Sequence, residues 1–196
     1  MGKIYVIMGK SASGKDTVYR EVKKQMPSLR GFVMYTTRPK RSGEENGEAY
    51  YFVEPEYIAK AGENGTLIEK RVYDTVYGPW IYATIDDGQI DLSLGDYLVP
   101  GTLESFLKLK QYFGSETVIP VYVEVEDGER LLRAIGREKA QEVPKYAEMC
   151  RRFLADCEDF SEEKLSGAGI RRRFENRDVY ECAGEIAALI RGGDNV

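Results

Sequence analysis

No histidine occurs among the 196 residues, so neither imidazole general acid-base chemistry nor histidine ligation of a metal is open to this chain. Cysteine is scarce as well: Cys150, Cys157 and Cys182 are odd in number and lack the paired spacing of a zinc site, which predicts reduced, buried structural thiols in a reducing compartment. No apolar run approaches the roughly 20 residues of a membrane span. The opening run IYVIM, at 4–8, is too short for a signal segment, and a cytoplasmic protein is the expectation. Nor is one sign of charge dominant. With 28 basic and 33 acidic residues the formal net charge is -5, which excludes a global nucleic-acid face or a polybasic membrane anchor. Any anionic ligand must then be met by a local basic cluster.

What is present suffices for one substantial core and not for two large domains, since 42% of residues are hydrophobic and 31% charged. IYVIM reads as a parallel strand buried on both faces, and KDTVYREVKKQ after the next glycine loop has helical spacing. Pro27 ends that helix, and GFVMY (31–35) reads as the next strand. From 36 to 84 the chain turns polar, tyrosine-rich and glycine-punctuated, predicting strands near 49–53, 67–73 and 77–83 around a helix near 55–62. GDYLVPG (95–101) and VIPVYVEV (118–125) return to buried-strand character with a crossover helix, TLESFLKLKQYF, between them. That alternation predicts an α/β fold with a parallel sheet. An arginine-rich helical stretch follows, interrupted at Gly136 and Pro144, before a last strand at RRRFEN and a helix at YECAGEIAALIR. The division expected is one domain with a core of 1–35, 85–126 and 160–196, an inserted lobe at 36–84 and a lid at 127–159.

Two motifs carry chemistry. In GKSASGKDT, Gly9 and Gly14 let the backbone amides of Ser11, Ala12 and Ser13 turn toward one anion. The following helix adds positive potential, and Lys15 can reach the outer phosphates. The residue after Lys15, where a hydroxyl normally meets magnesium, is Asp16, followed by Thr17. In TTRPKRSGEENGEAYYF, Arg38 and Arg41 sit three apart in a proline-bounded loop with Tyr50 shortly after. Two guanidinium forks and a phenol could converge there on a second phosphate. By itself, an exposed basic loop is more often a solvated surface.

The second motif, extended to TTRPKRSGEENGEAYYFV, resembles the signature of the guanylate kinases, and the resemblance spans nearly the whole chain. LIEKRVYDTVYG then resembles the family segment that puts Glu69 at a guanine-reading carboxylate and Tyr77 at a tyrosine on the nucleotide phosphate. ERLLRAIGRE places Arg133 and Arg137 at lid arginines, and EMCRRF offers Arg152, with Arg151 as the alternative register. Asn176 in FENRD resembles the asparagine beside the adenine. The resemblance implies a P-loop kinase fold with a five-stranded parallel core sheet, an acceptor-binding lobe and a helical lid. It implies magnesium-dependent transfer of the γ-phosphate of ATP to GMP or dGMP by a monomer or homodimer, with no nucleic-acid or membrane partner.

Three departures stand out. Met34 and Pro79 replace small hydroxyl residues near the base, and LVPG (98–101) replaces an acidic strand end. Looser base selection is therefore expected, with Asp16 as the relocated metal carboxylate. The alternative for Asp16 is a helix-start residue, with Thr17 or a water shell serving the metal. Other readings of the chain are a kinase of another nucleoside monophosphate or of a phosphorylated sugar on the same scaffold, and a non-catalytic interaction module.

Overall fold

The computed structural model describes residues 2–41, 43–75 and 78–192. β1 (Ile4–Met8) is wholly buried because it is apolar on both faces, and it takes a central place. It pairs in parallel with β6 (Tyr97–Pro100) on one side and β7 (Val118–Glu124) on the other, with Ile4 opposite both Tyr97 and Val118. β8 (Arg173–Glu175) adds to β7, giving the order β6-β1-β7-β8. Successive β1 side chains leave by opposite faces. Tyr5 and Ile7 pack among Val18 and Val22 of α1 (Lys15–Gln25) and Cys182, Ala183 and Ile186 of α7 (Val179–Gly192). Ile4, Val6 and Met8 meet Phe106 and Leu109 of α3 (Leu103–Phe113). This sandwich sets the loop after β1 at the carboxyl edge of the sheet, where parallel α/β folds place their ligands.

The fold is the expected α/β P-loop kinase architecture, with one correction. Among the described residues the core sheet has four strands and not five. At the fifth position only Arg30 bridges to Tyr97; its N–H donates to the Asp96 carbonyl at 2.9 Å and its carbonyl accepts from Leu98 at 3.0 Å. The apolar run that predicts a core strand at 31–35 is divided between two cores. Phe32 packs on the main one, while Tyr35 crosses to a second sheet and packs with Ile58 and Ala61 of α2 (Pro55–Glu63).

That second sheet has the order β3-β2-β5-β4, formed by β2 (Met34–Thr36), β3 (Tyr50–Phe52), β4 (Leu67–Thr75) and β5 (Gly78–Ile85). Its α2 face carries Tyr35, Ala83 and Ile85. By the two-residue period, its other face carries Met34, Tyr50, Glu69, Arg71, Tyr73, Trp80, Tyr82 and Thr84. Glu69 stands opposite Thr84, Arg71 opposite Tyr82 and Tyr73 opposite Trp80.

After β7 come α4 (Asp127–Lys139), α5 (Tyr146–Asp159) and α6 (Glu162–Gly167). The break expected at Gly136 is absent, since α4 runs through it; Pro144 lies in the real connection. Of the thiols expected to be buried, Cys182 is, Cys157 is half-buried and Cys150 is exposed on the polar side of α5. Among the described residues no helix is long and apolar enough to cross a membrane.

Candidate active site

Two glycines shape the loop from Gly9 to Gly14. A β-carbon at Gly9 would lie 2.5 Å from the Val123 carbonyl, so only glycine lets the loop leave β1 so close to β7. Gly14 has φ +78, and a β-carbon there would stand 2.5 Å from Asn176 Nδ2. That carboxamide is buried and donates to the Ser13 carbonyl at 2.7 Å, bracing the loop from below. Ala12, at φ 62, takes a left-handed conformation without being glycine. The loop is thus bent hard and supported from beneath, with its remaining amides at the helix start.

One cleft joins this loop to the other two parts of the molecule. Gly9, Ser11, Ala12, Ser13, Gly14, Lys15, Asp16 and Thr17 line it on one side; Met34, Tyr50, Arg71, Tyr73, Trp80 and Tyr82 line it from the lobe. Arg133, Arg137, Arg151, Arg152 and Asp156 line it from α4 and α5. Lys15 Nζ lies 2.6 Å from Asp16 Oδ1, whose side chain is 78% exposed.

Helices α4 and α5 reach the loop through residues that sequence reasoning missed. Arg130 is buried: its Nη1 donates to the Ser11 carbonyl at 2.9 Å and its Nε to Asp127 Oδ1 at 3.0 Å. Asp156 Oδ2 accepts from the Ser11 amide at 2.7 Å, putting a carboxylate on the phosphate loop. Arg130, Arg133 and Arg137 are spaced three and four apart, one helical face, and that spacing was the available signal. Asp156 had none, because its partner is 145 residues away. Arg152 Nη2 reaches Ser11 Oγ at 3.4 Å, whereas Arg151 is held at 2.7 Å by both oxygens of Glu148. The geometry favours the Arg152 register.

Not every expected residue faces the cleft. Asn176 lies beneath the loop, its carbonyl accepting from Arg133 Nη2 at 3.2 Å. Tyr77 lies outside the described residues. Arg38 and Glu69 are each only 4% exposed and are not among the cleft's lining residues. Arg38 forms a two-pronged pair with Glu44, Nη2 to Oε1 at 2.8 Å and Nη1 to Oε2 at 3.0 Å, and its guanidinium lies over the Tyr50 and Phe52 rings. Glu44 Oε2 also accepts the Arg41 amide at 2.8 Å. One carboxylate therefore holds both the Arg38 side chain and the Arg41 backbone.

The Arg38 guanidinium, and then the Arg41 amide, lower the Glu44 carboxyl from an ordinary 4.5 to about 2. A carboxyl depressed on folding contributes stability that is fully present above 4.5 and is lost as pH falls toward 2. Thermal melts from pH 6 to pH 3 should show the wild type losing melting temperature below about pH 5, with Glu44→Gln less stable at neutral pH and flatter across this window. Parallel curves for the two proteins would show that the pair contributes nothing.

Comparisons with known proteins agree with this geometry. The family model described as guanylate kinase matches residues 1–87. The guanylate kinase of Thermotoga maritima is 31% identical over 150 residues, covering 72% of this chain and 68% of its own length. That of Chlorobaculum tepidum is 29% identical over 163 residues, covering 81% and 82%. Among solved structures, a guanylate kinase from Anaplasma phagocytophilum superposes with a TM-score of 0.60 at 22% identity, over 97% of this chain and 85% of its own; at that identity it supports the fold.

Proposed function

The chain belongs to the guanylate kinase family, and we infer from that membership that it moves the γ-phosphoryl group of ATP onto GMP or dGMP. The observation that carries the reading is the single cleft shared by phosphate loop, aromatic lobe and lid arginines. The bond that forms joins an acceptor-phosphate oxygen to the γ-phosphorus; the bond that breaks joins that phosphorus to the β–γ bridging oxygen, in line. A phosphate monoester has a second pKa near 6, so the attacking oxygen is already ionised at neutral pH. No general base is required, which suits a chain without histidine.

Catalysis then rests on positioned positive charge. Loop amides and Lys15 hold the ATP phosphates, with Ser11, Ala12, Ser13 and Thr17 around them. Arg133, Arg137 and Arg152 neutralise the transferring oxygens; Tyr50 lines the cleft, and Arg38, on release from Glu44, joins it with Arg41 to hold the acceptor phosphate. Asp156 yields the Ser11 amide when the phosphates arrive. Magnesium, when bound, would supply positive charge that offsets that of the ATP phosphates. Hard oxygen donors fit it, and Asp16, exposed at the cleft, and the Thr17 hydroxyl are the residues that would hold it.

The test is a coupled assay of ATP with GMP, dGMP, AMP, UMP and phosphorylated sugars in parallel, with magnesium titrated against wild type and Asp16→Ala. GMP and dGMP should be the preferred acceptors, and the magnesium midpoint should rise in Asp16→Ala. Preference for a sugar phosphate would replace the assignment, and an unmoved midpoint would leave Asp16 as a helix-start residue.

A further inference from the structure

Ser11 is gripped at each of its three polar groups by residues of α4 and α5. Its carbonyl accepts from Arg130 Nη1 at 2.9 Å, its hydroxyl stands 3.4 Å from Arg152 Nη2, and its amide donates to Asp156 Oδ2 at 2.7 Å. Two of these partners are cations and the third is an anion. The Asp156 carboxylate is largely buried, yet it does not serve to neutralise Arg130. That guanidinium is already matched by Asp127 Oδ1, which lies 3.0 Å from Nε and 2.8 Å from Nη2, whereas Asp156 Oδ2 is 3.8 Å from Nη1, beyond hydrogen-bond distance. The carboxylate is committed to the loop amide instead.

A backbone N–H of a phosphate loop is an anion seat, and one N–H cannot serve a carboxylate and a phosphate oxygen together, since the two negative charges would stand in contact. We propose that Asp156 is an internal competitor of the ATP phosphates: its carboxylate occupies the Ser11 amide and must be displaced before the terminal phosphate can take it, so that Asp156 sets the affinity for ATP against that for ADP. The terminal phosphate is the one concerned because Arg152, which reaches the Ser11 hydroxyl and is among the arginines that meet the transferring oxygens, lies on α5 one turn before Asp156. One face of α5 therefore delivers a cation and an anion to the same loop residue. Phosphate keeps the cation and expels the anion, and Arg130, 3.8 Å away, gives the displaced charge a partner nearby. Breaking the contact opposes ATP binding, and a coupling of this kind is typically worth about 5- to 150-fold in affinity.

The inference rests on the ATP phosphates lying on this loop, as in the function proposed above, and its test needs no turnover. Equilibrium titrations with ATP and with ADP, in magnesium buffer without an acceptor, are compared for wild type, Asp156→Asn and Asp156→Ala, with GMP binding and melting curves as controls. Asparagine keeps the shape and an accepting oxygen but not the charge, and because Arg130 retains Asp127, both variants should fold. Both should bind ATP about 5- to 150-fold more tightly than wild type, with ADP and GMP within about threefold. A carboxylate that merely braced the loop predicts the opposite sign, since its loss would loosen the cradle and weaken ATP. Unchanged or weakened ATP binding in the two variants, or ADP tightened as much as ATP, would overturn the proposal. A wild type that binds ATP yet phosphorylates neither GMP nor dGMP would instead remove the functional assignment and leave the competition at Ser11 in place.

Discussion

Alanine at Gly14 is expected to cut turnover by about 10²-fold or more while leaving the chain folded. The φ of +78 at this position costs a residue with a β-carbon roughly 1–2 kcal/mol, which a domain of this size tolerates. The larger consequence is steric. The new methyl would stand 2.5 Å from Asn176 Nδ2, so the loop must lift or the carboxamide must release the Ser13 carbonyl. Asn176 is itself pinned, its N–H to the Glu124 carbonyl at 2.8 Å and its carbonyl to Arg133 at 3.2 Å. The loop is therefore the part that moves, and it carries Lys15 with it. A misplacement of about 1 Å at a reacting centre costs on the order of 10²-fold. Gly136→Ala is the internal control. That glycine lies inside α4, where an added methyl would meet nothing within 4 Å, so alanine should raise stability by about 0.5–1 kcal/mol with kcat unchanged. Kinetics and melting curves of the two variants decide the matter; a Gly14→Ala enzyme within threefold of wild type would mean that the loop is not held rigidly by Asn176.

How far the sequence reveals this molecule follows from the range of each interaction. β1, the loop and α1 are contiguous, and their pattern of apolar run, glycines and helical spacing is legible because strand, turn and helix are local outcomes. The lobe's strands are legible for the same reason, including β4 and β5 to within two residues of their observed bounds. What local pattern cannot convey is which core an apolar run joins. GFVMY has strand character throughout, yet Phe32 and Tyr35 bury in different cores, and the parallel core sheet ends one strand earlier than expected. The site shows the same limit. Glu69 and Arg71 alternate onto one face by the two-residue period, which is readable, but the hydroxyl that Thr84 donates to Glu69 from across the ladder is not. Asn176 and Asp156 meet the loop from 163 and 145 residues away, and no spacing rule anticipates them.

The arginine of the lid with the largest expected effect is Arg137. On α4, Arg130 is committed to the Ser11 carbonyl and Asp127, and Arg133 to Glu129 and the Asn176 carbonyl. Arg130 holds α4 and the loop in register, and Arg133 does so while still lining the cleft. Arg137, one turn further along the same face, lines the cleft where the transferring oxygens would lie. Phosphoryl transfer spreads charge over three equatorial oxygens, and a guanidinium placed there is worth about 10³-fold or more in rate. Arg137→Ala should accordingly lower kcat by about 10³-fold with little change in either KM, because the contact is stronger in the transition state than in the ground state. Arg137→Lys should recover only a small part, since an ammonium cannot present the two parallel donors of the fork. Arg151→Ala is the contrast: its guanidinium is already taken by both oxygens of Glu148 at 2.7 Å, and it should cost under about threefold. Steady-state kinetics of the three variants, with single-turnover rates to isolate the chemical step, test the ordering. A kcat for Arg137→Ala within tenfold of wild type would make this residue part of a solvated helix face, and a larger loss for Arg151→Ala would reverse the register in which α5 meets the phosphates.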